Sequence, residues 1–257
     1  MTEPLRLILI TGATGAIGGA LAEHYAAPGQ HLLLHGRRQD VLDTLATRCR
    51  AKGAKVSLFS VTLEDDQARR AWLDSLSATP DLVIMAAGMN TGIRDARLDE
   101  CAEAARQLMD INLRVPMEMS RQLATAMRRR GHGQLVFVSS LAAWHGLPSV
   151  PSYSASKAAI KAYAEALRAP LGNDGVGVTL VMPGYVASNM ARAMPGPKPF
   201  MWSAERAAKR IAKAVDANRP RVSFPLPLCL ATQGLTLLPP AWAQRLLQLF
   251  GYGISRK

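Results

Sequence analysis

Short apolar runs alternate with longer segments of helical spacing along most of the chain, and this alternation narrows the folds open to it. LRLILI (5–10), HLLLH (31–35), KVSLFSV (55–61), LVIMAA (82–87), QLVFVSS (134–140) and VGVTLVM (176–182) read as strands. Between them 16–27, 38–52, 64–77, 98–130 and 152–169 read as helices. The segment 98–130 ends in Arg128, Arg129 and Arg130 before Gly131, a basic last turn with a C-cap glycine. The segment 152–169 is expected to stop before Pro170. Continuously apolar strands separated by helices are buried on both faces, which requires a parallel sheet covered on each side. The expectation is an α/β fold with a doubly wound parallel sheet, one domain with a short C-terminal appendage. Residues 1–190 would form its core, and 191–257 a lid and extension of the same domain.

TGATGAIG (11–18) follows the first strand and opens the first helix. A glycine turn there points backbone N–H groups at an anion, and the helix dipole favours the negative charge. Gly12 would make the tight turn, and Gly18 would let helix and sheet pack closely; Thr14, Gly15, Ala16 and Ile17 complete the loop. The commoner G-x-x-x-G-x-G spacing needs glycine where Ala16 stands. Its methyl should crowd a pyrophosphate, so Gly15 is expected to take up the unusual backbone geometry. The second strand runs into HGRRQD, with Gly36 where an acid would bind a free ribose 2′-hydroxyl. Arg37 and Arg38 follow, and Asp40 should already be on the helix. Guanidinium groups pair well with a phosphate dianion, so the expected cofactor is NADP(H).

PSYSASKAAI places Tyr153 and Lys157 four residues apart on one helix face. A phenol titrates near ~10 in water, and an adjacent ammonium stabilises the phenolate. Lys157 is therefore expected to bring Tyr153 toward neutrality as an acid/base. Ser140 closes the strand QLVFVSS at the carboxyl end of the sheet, where such folds bind ligands. Ser139, one residue earlier, should point to the opposite face.

With these pieces in order, the chain resembles the short-chain dehydrogenase/reductase family over roughly residues 5–190. The matching pieces are TGATGAIG, AAG at 86–88, Asn112 in DINLRVP, Ser139-Ser140, YSASK and PGYVAS at 183–188. The resemblance implies a Rossmann-type fold and hydride transfer between nicotinamide and a carbonyl or secondary alcohol. Tyr153 would move the proton at the substrate oxygen, and Ser140 would orient that oxygen. Lys157 would lower the tyrosine pKa and hold the nicotinamide ribose. Asn112 would stabilise the active-site helix and a proton-relay water. Val61, Ala87 and Gly88 would border the cofactor, and its nicotinamide would sit against Pro183, Gly184, Val186 and Ser188, the last replacing a frequent threonine. Ala16, Ala86 and Ser60 depart from the family pattern, which weakens polar contacts on the adenine side and leaves the catalytic set intact. A binding protein without turnover is the alternative, but it has no need of Asn112, Ser140, Tyr153 and Lys157 together.

The net charge is +12, and residues 190–257 hold eleven Lys/Arg against Glu205 and Asp216. That excess favours an anionic partner. The tail has no nucleic-acid recognition motif and no interleaved stacking aromatics, so a membrane surface or phosphorylated ligand fits better. Residues 203–218 read as a basic helix. Residues 222–244 carry no charge, but only 11 of them lie between Pro227 and Pro239, against ~20 for a spanning helix. In AWAQRLLQLFGYG, Trp242, Leu246, Leu249 and Phe250 fall at helical spacing; a subunit or core contact and a membrane-surface helix are both open. The segment Tyr185–Trp202 is rich in Met, aromatic residues and Pro, which suits an apolar substrate, with Trp144 and His145 expected near the same cleft. No metal site is expected. Three cysteines without C-x-x-C spacing, and no N-terminal targeting signal, imply reduced thiols and a cytoplasmic location. The resemblance implies a homodimer or homotetramer through helices near 113–130 and 152–169.

Overall fold

The computed structural model describes residues 5–91, 100–194 and 196–252. Its centre is a seven-stranded, wholly parallel sheet in the order β3-β2-β1-β4-β5-β6-β7. The strands are β1 (Arg6–Thr11), β2 (Gln30–His35), β3 (Lys55–Phe59), β4 (Leu82–Met85), β5 (Gly133–Val138), β6 (Val176–Pro183) and β7 (Arg221–Phe224). Alternate residues feed opposite cores, as strand pleating dictates. Ile8 and Ile10 of β1 pack with α1 (Ala16–Tyr25), α2 (Gln39–Ala51) and α8 (Ala204–Asp216). Leu7 and Leu9 pack with α3 (Asp66–Asp74), α5 (Val115–Arg130) and α6 (Pro151–Asn173). Each fully buried Leu or Ile is worth ~1.5–3 kcal/mol, so both faces are strongly specified.

The winding reverses between β1 and β4, which opens a crevice at their carboxyl ends. Gly12 turns the chain there with φ of 68°. A β-carbon on Gly12 would lie 2.6 Å from the Ala87 nitrogen, and one on Gly18 would lie 2.3 Å from the Gly12 oxygen. Gly15 is instead ordinary extended backbone (φ −85°, ψ 165°). The left-handed turn therefore belongs to Gly12 rather than Gly15, because it is Gly12 that abuts the backbone after β4.

Four other departures bear on the site. The helical stretch expected over 98–130 is α4 (Ala102–Met109), a wider turn over Asp110–Arg114, and then α5; residues 98 and 99 lie outside the described residues. Arg114 closes that turn by donating to Asp110 Oδ1 (2.7 Å) and the Glu64 carbonyl (3.0 Å). Helix α6 runs through Pro170, whose missing N–H frees the carbonyl of exposed Ala166 toward water. β7 was hidden in the uncharged tail by its four-residue length and the flanking Pro220 and Pro225, and with α8 it carries the sheet and its core past residue 190. The tail then folds into α9 (Leu226–Leu235) and α10 (Pro240–Leu249), with the short α7 (Asn189–Ala193) ahead of α8.

Gly12→Ala should destabilise the fold by well over ~1 kcal/mol, since strain at positive φ adds to a backbone clash. Gly29→Ala is the comparison: φ is 80° but nothing lies within 4 Å of the added carbon, so only the strain is felt. Urea unfolding of both variants measures the difference.

Candidate active site

One cavity of about 1350 Å³ runs along the carboxyl ends of the strands. Its walls include every position expected at the cofactor and catalytic site except Asn112, which lies just behind the wall. At one end α1 begins with Gly15 as N-cap, with no side-chain cap and no acid in its first turn. Uncapped N–H groups in a glycine cradle that tolerates no β-carbon fit an anionic group such as a pyrophosphate. Exposed Arg37 and Arg38 line that end; Arg38 donates to the Thr14 carbonyl, and Arg37 has no ion-pair partner among the described residues. His35 also borders it. Its Nε2 lies 2.8 Å from the Val61 carbonyl, so Nε2 carries the proton, and burial pulls its pKa below the usual histidine value.

Helix α6 supplies the central residues. Tyr153 and Ser140 both line the cavity. Burial raises the phenol above its ordinary value, and Ser140 works in the opposite direction. Lys157 is buried, and its Nζ donates to the Val138 carbonyl at 3.0 Å. Burial pushes it down to about 8. Lys157 is expected to bring Tyr153 toward neutrality; in this cavity burial is the larger influence, and the phenol lies above its ordinary value. Nζ lies 5.6 Å from the phenol ring centroid and directs its hydrogen bond to the strand, while the low-dielectric pocket disfavours phenolate and ammonium alike.

Asn112 is buried in the wide turn before α5. Its Oδ1 accepts from the Met89 N–H (2.9 Å), and its Nδ2 donates to the Met89 carbonyl (2.9 Å) and Ser156 Oγ (3.1 Å). Ser156 donates in turn to the Tyr153 carbonyl (2.8 Å). Ser139 also borders the cavity, but its hydroxyl is engaged by α6, donating to the Lys157 carbonyl (2.7 Å). Ser140 accepts from the Ala142 N–H (3.1 Å). Sequence reading missed Ser156 as a positioning group, although it shares the Tyr153 helix and sits three residues further on.

The other end of the cavity is apolar. Tyr185, Met190, Met194, Pro199 and Phe200 line it from the expected lid, and Leu228, Leu235, Leu246 and Phe250 from α9, α10 and the residue after them. Tyr185 and Tyr252 both line this end, and burial raises both pKa values. Ser188, expected beside nicotinamide, has its hydroxyl engaged as the N-cap of α7 (Ala191 N–H, 3.0 Å) and as a donor to the Val186 carbonyl (3.1 Å). Trp144 and His145 are outside the cavity wall. Trp144 lies between two cations, with Lys161 Nζ at 4.6 Å and Arg221 Cζ at 5.1 Å from its ring centre. Trp202 is turned into the core, stacked on Phe224 at 4.7 Å. The described residues contain no cluster able to hold a metal ion, and no helix among them is long and apolar enough to cross a membrane.

The family model for short chain dehydrogenases matches residues 6–197. The chain belongs to the short-chain dehydrogenase family. It is 33% identical over 237 residues to an uncharacterized oxidoreductase of Myxococcus xanthus, covering 91% of this chain and 93% of that one. It is 30% identical over 274 residues to 11-beta-hydroxysteroid dehydrogenase 1A of Arabidopsis thaliana (97% and 77%). Among solved structures, a short-chain dehydrogenase from Sphingobium yanoikuyae in complex with NADPH superposes with a TM-score of 0.79 at 24% identity, covering 91% of this chain and 96% of that one. The bulky-bulky ketone specific alcohol dehydrogenase from Comamonas testosteroni superposes with a TM-score of 0.77 at 22% identity (92% and 96%). Short-chain dehydrogenases are oxidoreductases that use a nicotinamide cofactor, and the sheet order here is that of their fold.

Asn112→Ala should cost ~1–3 kcal/mol, because it leaves the Met89 N–H and carbonyl without their partner in a buried place. Ser156→Ala, which removes one bond of the network, should cost less. Thermal or urea unfolding ranks the two, and equal losses would show that Asn112 does not hold Met89.

Proposed function

We propose that this short-chain dehydrogenase is NADP(H)-dependent and interconverts a carbonyl and a secondary alcohol on an apolar substrate. One observation carries the reading: Ser140, Tyr153 and Lys157 meet midway along a cavity that is glycine-cradled and basic at one end and apolar at the other. The glycine loop and the start of α1 would hold the cofactor pyrophosphate, and Arg37 and Arg38 its 2′-phosphate. Val61, Ala87 and Gly88 border the path between, Lys157 would hold the ribose, and Pro183, Gly184 and Val186 would back the nicotinamide. Bound nicotinamide supplies or accepts the hydride.

In the reducing direction Ser140 donates a hydrogen bond to the carbonyl oxygen and fixes it beside Tyr153. As the carbonyl carbon gains hydride, the Tyr153 hydroxyl gives its proton to the oxygen. The phenolate left behind is stabilised by Ser140 and by the Lys157 ammonium, which eases a transfer that burial alone would oppose. In the oxidising direction the same groups take the proton back. Asn112 and Ser156 act through the backbone of α6, holding Tyr153 in register with Ser140. The hydroxysteroid named for the Arabidopsis relative supports a bulky apolar alcohol or ketone. We further assign a homo-oligomer through the outer faces of α5 and α6, which size-exclusion chromatography with light scattering tests. The three free thiols fit a cytoplasmic location.

Purified protein should consume NADPH with an apolar ketone, and Tyr153→Phe should lower kcat by ~10²–10⁴-fold while NADPH still binds. Activity retained in that variant would remove Tyr153 from the chemistry. Arg37→Ala should raise the KM for NADPH about tenfold and leave that for NADH nearly unchanged.

The pH dependence follows from Lys157. Its ammonium is present below its pKa and lost above it, so kcat/KM for reduction should fall as pH rises through about 8. The phenol, raised rather than lowered, stays protonated through that range. Lys157→Arg, with a permanent charge, should move the fall to higher pH, whereas a fall that stays in place assigns it to another group.

A further inference from the structure

We propose that the apolar end of the cavity opens on a surface that docks onto an anionic lipid bilayer, with α10 lying in the interface. Of the twelve large apolar side chains left open to solvent among the described residues, all but Leu5 fall between residues 190 and 250. Trp242 (65% exposed), Leu246 and Leu249 (83%) share one face of α10, at spacings of four and three residues. Ala243 and Leu247 form its buried face, so α10 is apolar on both sides and its outer stripe has no core to enter. Phe200, Leu246, Leu249 and Phe250 are exposed and also line the cavity, which makes this stripe the rim of its mouth.

The charge around the rim selects the occupant. Residues 217–257 contain no acid, while Arg245 lies on α10, Arg192 lines the cavity, and Lys198 sits between the rim residues Pro197 and Pro199. The segment Gly196–Phe200 is held close to the end of α10, where a β-carbon on Gly196 would lie 3.0 Å from the Gly251 oxygen. Apolar side chains ringed by Lys and Arg match acyl chains beneath anionic headgroups. A second copy of the chain seated here would bring two basic segments face to face and cap both cavities. A bilayer neutralises the charge and leaves the mouth facing the phase in which apolar substrates dissolve. This entry route rests on the function proposed above; the docking does not.

The test uses the full chain and vesicles of phosphatidylcholine with or without an equal part of phosphatidylglycerol. Wild type should sediment with the anionic vesicles, less so as salt rises, and weakly with phosphatidylcholine alone. Trp242→Glu should weaken partitioning by about tenfold or more. Trp242 lies outside the cavity, so turnover of a water-soluble ketone should be kept and that of a vesicle-dissolved ketone lost. Trp242→Phe should bind vesicles like wild type, which separates loss of docking from loss of fold. Failure of wild type to bind anionic vesicles, or equal binding by Trp242→Glu, overturns the proposal. So does concentration-dependent self-association, without vesicles, that Trp242→Glu abolishes. Vesicle binding by a protein that turns over no ketone leaves the docking standing and refutes the proposed reaction instead.

Discussion

Asn112 joins stretches of chain that meet only in the folded state. Its amide engages both polar groups of Met89, just beyond β4, and reaches Ser156 inside α6. The residue is buried, so each of these groups is satisfied here or stranded away from water. The wide turn over Asp110–Arg114 makes the reach feasible, and Arg114 pins that turn to the segment before α3. The first turns of α6 are tied to this clamp. Ser156 extends it to the Tyr153 carbonyl, and Ser139 fixes the Lys157 carbonyl one turn further along α6.

The side chains placed this way are poised by their surroundings more than by one another. A phenol and an amine in the same dry pocket are both pushed toward their neutral forms. Ser140 works in the other direction on the phenol, lowering its pKa. In the proposed reaction, charge develops on the tyrosine oxygen as its proton leaves, and interactions that strengthen at that moment are the ones that raise a rate.

Much of this was legible in the sequence because the strands of a doubly covered parallel sheet are apolar on both sides. Six strands could be read from their runs alone, and the turn after the first placed the crevice. Residues set by local spacing, such as Tyr153 and Lys157, were equally plain. What escaped depends on contacts made across the fold. That Gly12 and not Gly15 carries the left-handed turn follows from the approach of Ala87, 76 residues beyond Thr11 at the end of β1. Pro170 sits inside α6 on its exposed side, four residues after exposed Ala166. β7 is too short to show periodicity and is recognised only by its pairing with β6. Trp144 was expected at the cleft on chain proximity to Ser140, yet its ring is held outside by Lys161 and Arg221, the latter on that same unseen strand. The rise of the Tyr153 pKa is a property of the enclosed pocket, which no neighbouring pair of letters encodes.

Gly184 marks where two parts of the molecule touch. A β-carbon there would meet Leu228 at 2.8 Å and Pro225 at 3.0 Å, so its absence lets α9 settle against the end of β6. On one side of this seam lie the sheet, the glycine cradle and Ser140, Tyr153 and Lys157. On the other lies a wall made by α9 and α10, which among the described residues has no hydrogen bond to Asn112. The size and polarity of what enters the cavity can therefore drift with the sequence of α9 and α10 while the machinery at its centre stays fixed. Gly184 keeps that seam close: a side chain there would press on Leu228 and Pro225, and the start of α9 would have to give way.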